Sequence, residues 1–380
     1  MGEDPMHWLA PDWLFDGGCL QQGMAIGLQG GRVRVVLQAR DVPSGMSSRP
    51  VRGTICPGFL DLQVNGGGGY LLNNTPTPEA VAGLLAAHRR FGTVGLLPTV
   101  ITDRPEVLRQ SVQAVLAARD LPGVMGMHIE GPHLSLARRG THAAEFVRPF
   151  EAETLTHVQR LRLAGMAVMI TVAPESISIE QIRALAATGA VVSIGHSDAS
   201  APAAREALAA GARCFTHLFN AMSPMLNRSP GVTGAAINSD AYCGIICDGI
   251  HVADEMVGLA IRARPVADRM FLVSDAMATV GGPDEMMLYG QQIRLCNGRL
   301  ENAEGSLAGA HVTMAESMRR LITVLGVAPD VALRMAVTVP AAVMSMPAWA
   351  EVGGRRAEDL LVLGADWLMV DTCAGPVAAG

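Results

Sequence analysis

After residue 56 the chain repeats one pattern: a short apolar run of β-type residues, then an alanine- and leucine-rich segment with helical spacing. The apolar runs span residues 58–65, 94–100, 124–130, 167–173, 191–196, 213–217, 243–248 and 270–275. Helical spacing falls between them, for example at 79–91, 104–119, 180–188 and 202–210. Eight strands alternating with helices predict an α/β fold, a (β/α)8 TIM-like barrel over residues 57–340. Its active site is expected at the C-terminal ends of the strands.

The flanks follow a different rhythm. Residues 13–15, 24–28 and 32–37 are short extended runs broken by glycine pairs, and 359–363 and 367–370 are strand-like again. Neither piece is large enough to bury a core alone. Residues 1–56 and 341–380 are therefore expected to join as one small β-sandwich domain beside the barrel. The Asn297-Gly298 pair within 293–300 predicts a hairpin. Gly66 to Gly69 reads as a tight turn, because no Walker or Rossmann spacing accompanies it.

Composition narrows the chemistry. With 49% hydrophobic and 17% charged residues in 380, the chain reads as a well-buried globule. A net charge of −6 argues against general nucleic-acid binding, so an anionic ligand must be met by a few placed cations. No lysine occurs; every basic residue is arginine. That excludes Schiff-base chemistry, a P-loop lysine and any two-metal centre bridged by a modified lysine. The seven cysteines are scattered without a CxxC spacing, which suits free thiols in a reducing compartment. With no N-terminal signal pattern and no run of 18 apolar residues, a cytoplasmic protein with no membrane partner is expected.

Five of the runs end in a group able to hold a metal or move a proton: Glu130, His196, His217, the Asp248-Gly249-Ile250-His251 string, and Asp275. A lone histidine closing a strand is ordinarily structural. An acid and two imidazoles closing separate barrel strands instead suit a single catalytic ion with one open position. Zn²⁺ is the default, and Fe²⁺ or Mn²⁺ accept the same ligands. Asp275 is the candidate general base and then acid, taking a proton from the attacking water and returning it to the leaving nitrogen. His251 is a candidate for polarising a carbonyl or holding a substrate hydroxyl. Gln63 and Asn65 stand where a His-x-His pair would bind a second metal, and amides are poor zinc ligands, so that position is expected to be vacant. Arg228 lies in a Pro/Gly-rich loop after the His217 strand, placed to grip a phosphate in two-point fashion. Asn220 and the Ala221 backbone add hydrogen-bonding groups. Arg138 to His142 form another polar loop near Glu130, and Leu307-Ala308-Gly309 is expected as a lid or a helix entry.

These strings carry a resemblance. Pro57-Gly58-Phe59-Leu60-Asp61, His128-Ile129-Glu130-Gly131-Pro132, Arg139-Gly140-Thr141-His142, Gly195-His196-Ser197, Thr216-His217-Leu218-Phe219-Asn220-Ala221-Met222, Asp248-Gly249-Ile250-His251 and Val273-Ser274-Asp275-Ala276 occur in this order. Over residues 57 to about 313 the chain resembles the N-acetylglucosamine-6-phosphate deacetylases of the amidohydrolase superfamily. The resemblance implies a metal held by Glu130, His196 and His217, with Asp275 as acid/base. It implies sugar-phosphate contacts from Thr141, His142, Ala143, Asn220, Ala221, Arg228, Asp248, Gly249, Ile250, His251, Leu307, Ala308 and Gly309. It also implies hydrolysis of an N-acetyl group in amino-sugar catabolism, by a homodimer or homotetramer in which a neighbouring subunit lends a phosphate contact. Pro340-Ala341-Ala342 departs from the family's usual Pro-Ala-Arg. The alternatives are an N-acetylgalactosamine 6-phosphate deacetylase and a non-catalytic sugar-phosphate binder.

Overall fold

The computed structural model describes residues 5–301 and 307–375. Eight parallel strands follow one another in chain order. They are β1 (Phe59–Val64), β2 (Thr93–Ile101), β3 (Gly126–Glu130), β4 (Ala167–Val172), β5 (Val191–Ile194), β6 (Cys214–Phe215), β7 (Tyr242–Ile245) and β8 (Met270–Leu272). Each pairs with its sequence neighbour. The ring closes just past β8, where Val64 bridges Ala276 and the Asp275 amide donates to the Gln63 carbonyl at 3.0 Å. This is the expected barrel, and every strand lies at its expected place.

The outer helices begin where local chemistry favours it. α1 (Pro78–Arg89) has Pro78 in its first turn and Thr77 as cap, accepting from the Ala80 amide. α2 (Pro105–Ala117) and α3 (Ala152–Leu163) follow β2 and β3. α4 (Ile179–Ala187) opens on a complete capping box between Ser178 and Gln181, and Ser200 caps α5 (Ala201–Ala209). α6 (Gly231–Ile237), α7 (Asp254–Ala263) and α8 (Met314–Thr323) complete the ring. α9 (Pro329–Leu333) then leads through a π turn at Arg334–Thr338 into α10 (Val339–Val343), which packs on β1 and β8. The unusual Pro340 segment is thus accommodated as a short, buried closing helix. Proline at that point has no N–H to continue an ordinary helical ladder.

Both termini build one small sheet, as expected. Its order is Met369–Thr372, Leu360–Leu363, Ser48–Pro57, His7–Phe15, Met24–Gln29, Arg32–Gln38, with Leu20–Gln21 beside His7–Phe15. The pieces read as a sandwich in the sequence are hydrogen-bonded into this continuous sheet over a cluster that includes Leu14, Ile26, Ile55 and Leu360. Ser48–Pro57 was not evident as a strand because Arg49, Pro50, Arg52 and Gly53 interrupt its apolar pattern. It pairs with both terminal pieces and runs directly toward β1.

A further sheet, antiparallel throughout, comprises Glu285–Leu288, Gln291–Cys296, Arg299–Glu301 and Leu307–Ala310. The hairpin expected at Asn297-Gly298 is there, with Cys296 opposite Arg299 and both turn residues at positive φ. Leu307-Ala308-Gly309 is neither a lid nor a helix entry. It is the last strand of this sheet, returning to the barrel so that the Ala310 amide donates to the Asp275 carbonyl at 3.1 Å. The tight turn expected at Gly66 to Gly69 is there, with Gly68 and Gly69 turning between the short strands Gly66–Gly67 and Tyr70–Leu71. All seven cysteines are free.

Candidate active site

Side chains on a strand alternate between its two faces, so His128 and Glu130 of β3 share one direction. Both are buried, with Glu130 at the strand's end. Below it, His128 Nε2 meets Thr171 Oγ1 at 2.8 Å, Thr171 meets Thr216 at 2.7 Å, and Thr216 meets Ser193 Oγ at 2.6 Å. Burial pushes His128 down to about 4, so it is a neutral member of this hydroxyl layer.

Above the layer, three donor atoms converge. His217 Nε2 lies 3.0 Å from Glu130 Oε1, His196 Nε2 lies 3.3 Å from the same oxygen, and the two imidazole nitrogens are 3.0 Å apart. Four-coordinate zinc with ligand bonds of about 2.0–2.1 Å has ligand-to-ligand edges of about 3.3 Å. The triangle of one carboxylate oxygen and two imidazole nitrogens therefore fits a divalent ion. His196 is oriented by its other ring nitrogen, Nδ1, which lies 2.9 Å from the Arg138 carbonyl. The turn carrying it is tied down by Glu175, which accepts from Ser197 Oγ at 2.7 Å and from the Asp198 amide at 2.6 Å. Gly195 is obligatory before it, because a Cβ there would stand 2.8 Å from Thr171 Cγ2 and from Thr216 Cβ.

His142 also belongs to the neighbourhood. One of its ring nitrogens comes within 4.8 Å of donor atoms of Glu130 and His196, giving a second Glu/His/His set that overlaps the first. Its Nδ1 is engaged with Thr102 Oγ1 at 2.8 Å, and its ring packs edge-on against that of His196. His142 Nδ1 is taken by Thr102, whereas the Nε2 atoms of His196 and His217 both face Glu130 Oε1, so His142 reads as a flanking group. Thr141 and Ala143 are half-buried beside it.

Asp275 faces this cluster from the end of β8. Gln63 Nε2 donates both to Glu130 Oε1 at 2.9 Å and to Asp275 Oδ1 at 3.0 Å, and Asn65 Nδ2 donates to that same Oδ1 at 2.7 Å. Gln63 thus bridges Glu130 and Asp275, and the two amides together hold Oδ1 of Asp275. Burial, reinforced by the nearby Glu130 charge, lifts Asp275 to about 6, while His217 and Asn65 pull the other way. For Glu130, burial is outweighed by His196 and His217, so its carboxyl stays well below the ordinary range.

Asp248 organises the loop after β7. Its Oδ1 accepts from the amides of Ile250 and His251 at 2.8 Å each, and its Oδ2 meets His251 Nδ1 at 2.6 Å. Asn220 and Ala221 lie just past His217, and the Ala221 carbonyl accepts from the Ser197 amide at 3.0 Å. Arg228 sits exposed on the loop before α6, and among the described residues none of the polar contacts above reaches it. The sequence reading missed Thr102, Glu175 and the Arg138 carbonyl as supports. Thr102 lies two residues beyond the expected end of its strand, and a backbone carbonyl leaves no residue-type signal.

Comparison with known proteins places this geometry. No family model matches the chain. It is 40% identical to an N-acetylgalactosamine-6-phosphate deacetylase of Shewanella sp. over 85% of this chain and 80% of that protein. It is 31% identical to an N-acetylglucosamine-6-phosphate deacetylase of Haemophilus influenzae, over 83% and 84% respectively. Among solved structures, N-acetylglucosamine-6-phosphate deacetylase from Pasteurella multocida superposes with a TM-score of 0.89 at 29% identity, covering 97% of this chain and 98% of that one. Fold, site and relatives agree: the chain belongs to the amino-sugar-6-phosphate deacetylase family of amidohydrolases.

Proposed function

We propose that the protein hydrolyses the N-acetyl group of N-acetyl-D-glucosamine 6-phosphate to give D-glucosamine 6-phosphate and acetate. The observation that carries this reading is the 3.0–3.3 Å triangle of Glu130, His196 and His217 set beside a pinned Asp275. The three would hold one divalent ion, with Zn²⁺ the best match to the ligands and Fe²⁺ or Mn²⁺ as substitutes. Such an ion, when bound, polarises the amide carbonyl and makes water a stronger nucleophile.

The chain's own groups account for the proton traffic. Asp275, raised by burial toward neutrality, takes the proton from the attacking water and returns it to the departing nitrogen. His251, held by Asp248, faces the substrate as a hydrogen-bonding group for a carbonyl or hydroxyl. Gln63 and Asn65 occupy the second-metal position with amides, which favours a single-ion enzyme. Thr141, His142, Ala143, Asn220, Ala221 and the strand Leu307-Ala308-Gly309 line the sugar's side of the pocket.

Arg228 is the phosphate ligand in this reading. Its exposure, on a loop that also exposes Met225 and Leu226, fits a homodimer or homotetramer in which this loop meets a neighbouring subunit. No described helix is long and apolar enough to cross a membrane, which accords with a cytoplasmic catabolic enzyme.

A second reading has the C4 epimer as substrate, supported by the 40% identity to the N-acetylgalactosamine-6-phosphate deacetylase. Acetate release from both epimers, each with and without the 6-phosphate, tests all of this. The first reading expects the gluco 6-phosphate to be preferred and unphosphorylated sugars to lose at least a hundredfold in kcat/KM. Preference for the galacto 6-phosphate would transfer the assignment to the second reading, and equal activity without phosphate would remove Arg228 from its role.

A further inference from the structure

The loop Asp248-Gly249-Ile250-His251 is fixed from within by Asp248 and also borders open space. A cavity of about 370 Å³ lies there, lined among others by Cys247, Asp248, Ile250, His311 and Arg320. The loop thus has open space beside it into which it could shift.

One side chain closes that route. Arg320 on α8 forms a two-point contact with Asp254, the first residue of α7, with Nε to Oδ1 at 2.8 Å and Nη2 to Oδ2 at 2.7 Å. The same guanidinium lies against Gly249. A Cβ on Gly249 would stand 2.1 Å from Arg320 Nη2, 2.4 Å from Cζ and 2.8 Å from Nε. Its φ of +73° calls for glycine here, and the bare Cα lets the guanidinium, held by Asp254, approach this closely. Asp248 is near enough for its charge to act on Arg320 as well. The planar fork of arginine spans the start of α7 and the loop backbone at once, which an ammonium group cannot do.

We propose that Arg320 is a positioning residue for deacetylation: it holds the Gly249 backbone forward so that Asp248 presents His251 to the substrate. This rests on the reading of His251 as a substrate-facing group. It assigns Arg320 a role in turnover rather than in folding. The Arg320–Asp254 pair is about a third exposed, at 33% and 27%, and partly exposed pairs of this kind add little to stability.

A double-mutant cycle separates the possibilities. The variants are Arg320→Ala, His251→Asn and their combination, each checked for metal content and thermal midpoint. The expected result is about a tenfold loss of kcat/KM for Arg320→Ala in the wild-type background, with less than twofold further loss in the His251→Asn background. Arg320→Lys is expected to lose at least threefold, since it keeps the charge and forfeits the fork. Lys also serves as the first arm of the cycle should the alanine variant fold poorly. Arg320→Ala within twofold of wild type while His251→Asn is impaired would overturn the proposal and leave His251 in place. Equal losses from Arg320→Ala in both backgrounds would also overturn it. His251→Asn with wild-type turnover would overturn the reading of His251, and the role of Arg320 with it.

Discussion

The N-terminal half of the flanking sheet and the mouth of the barrel handle left-handed backbone in opposite ways. Between residues 5 and 57, every position with positive φ is a glycine: Gly17, Gly23, Gly30, Gly31, Gly45 and Gly53. At the barrel mouth the same conformation falls on His196 at 47°, His217 at 27°, Phe219 at 78°, Ala221 at 50° and Asp275 at 52°. An L-residue in this region costs about 1–2 kcal/mol, and the surroundings must hold it there. In the sheet, backbone geometry is the only requirement, so the side chain is dispensed with. At the mouth the conformation falls on residues that include His196, His217 and Asp275, and the sharp turn past the strand end brings those side chains together. Buried charge divides the two regions in the same way. The sheet closes over Leu14, Ile26, Ile55 and Leu360, whereas the mouth gathers Glu130, His196, His217 and Asp275 within bonding reach of one another or of shared amides.

If the mouth is built for chemistry and the sheet for support, their variants should differ in kind. Asp275→Asn is expected to lower kcat by at least about a thousandfold while the protein keeps its fold and metal. A steady-state assay of acetate release beside metal analysis checks it, and turnover near wild type would mean that the base lies elsewhere. Ile55→Ala in the flanking sheet, where the side chain is fully buried, should do the reverse. It is expected to cost about 2–5 kcal/mol of stability with kcat unchanged below the melting transition, read by denaturant unfolding and by the same assay.

Asp61 tests the border between the regions. It lies inside the barrel on β1, and its Oδ1 accepts from the amides of Gln63 and Ser274 at 3.2 Å each, tying β1 to the end of β8. Burial lifts it to about 7, above its value of 3.8 in an open chain. Between those two values folding takes up a proton, so this group's contribution to stability falls as pH rises from about 4 to about 7. Asp61→Asn removes that dependence. The wild type is expected to lose up to about 4 kcal/mol more than the variant between pH 4 and pH 8, measured as the difference between their unfolding free energies. Parallel curves would show that Asp61 ionises freely in the fold.

The barrel was legible because its strands are mostly apolar and five of the eight runs stop at a group with metal-binding or proton-moving chemistry. Glu130, His196, His217 and Asp275 stand out in the sequence at or just past strand ends, and the structure brings the four together. What the residue pattern concealed has a physical cause in each case. Ser48–Pro57 is held by pairing on both sides despite its arginines and Pro50. Leu307–Ala310 is a strand because its neighbours recruit it, and nothing in Leu-Ala-Gly-Ala favours one. The brace from Arg320 to Gly249 joins residues 71 positions apart across two elements, and the support of His196 by Arg138 uses a carbonyl common to every residue. Side-chain chemistry at strand ends can be read from sequence, whereas support from backbone and from distant elements requires coordinates.

The most direct measurement is divalent-metal content per chain, by elemental analysis, set against acetate release for the wild type, Glu130→Gln, His196→Asn, His217→Asn and Asp275→Asn. One ion per chain in the wild type is expected, lost together with activity in the first three variants and retained by the inactive Asp275→Asn. Full activity after exhaustive chelation, or an ion retained undiminished when Glu130, His196 and His217 are each replaced, would contradict the account.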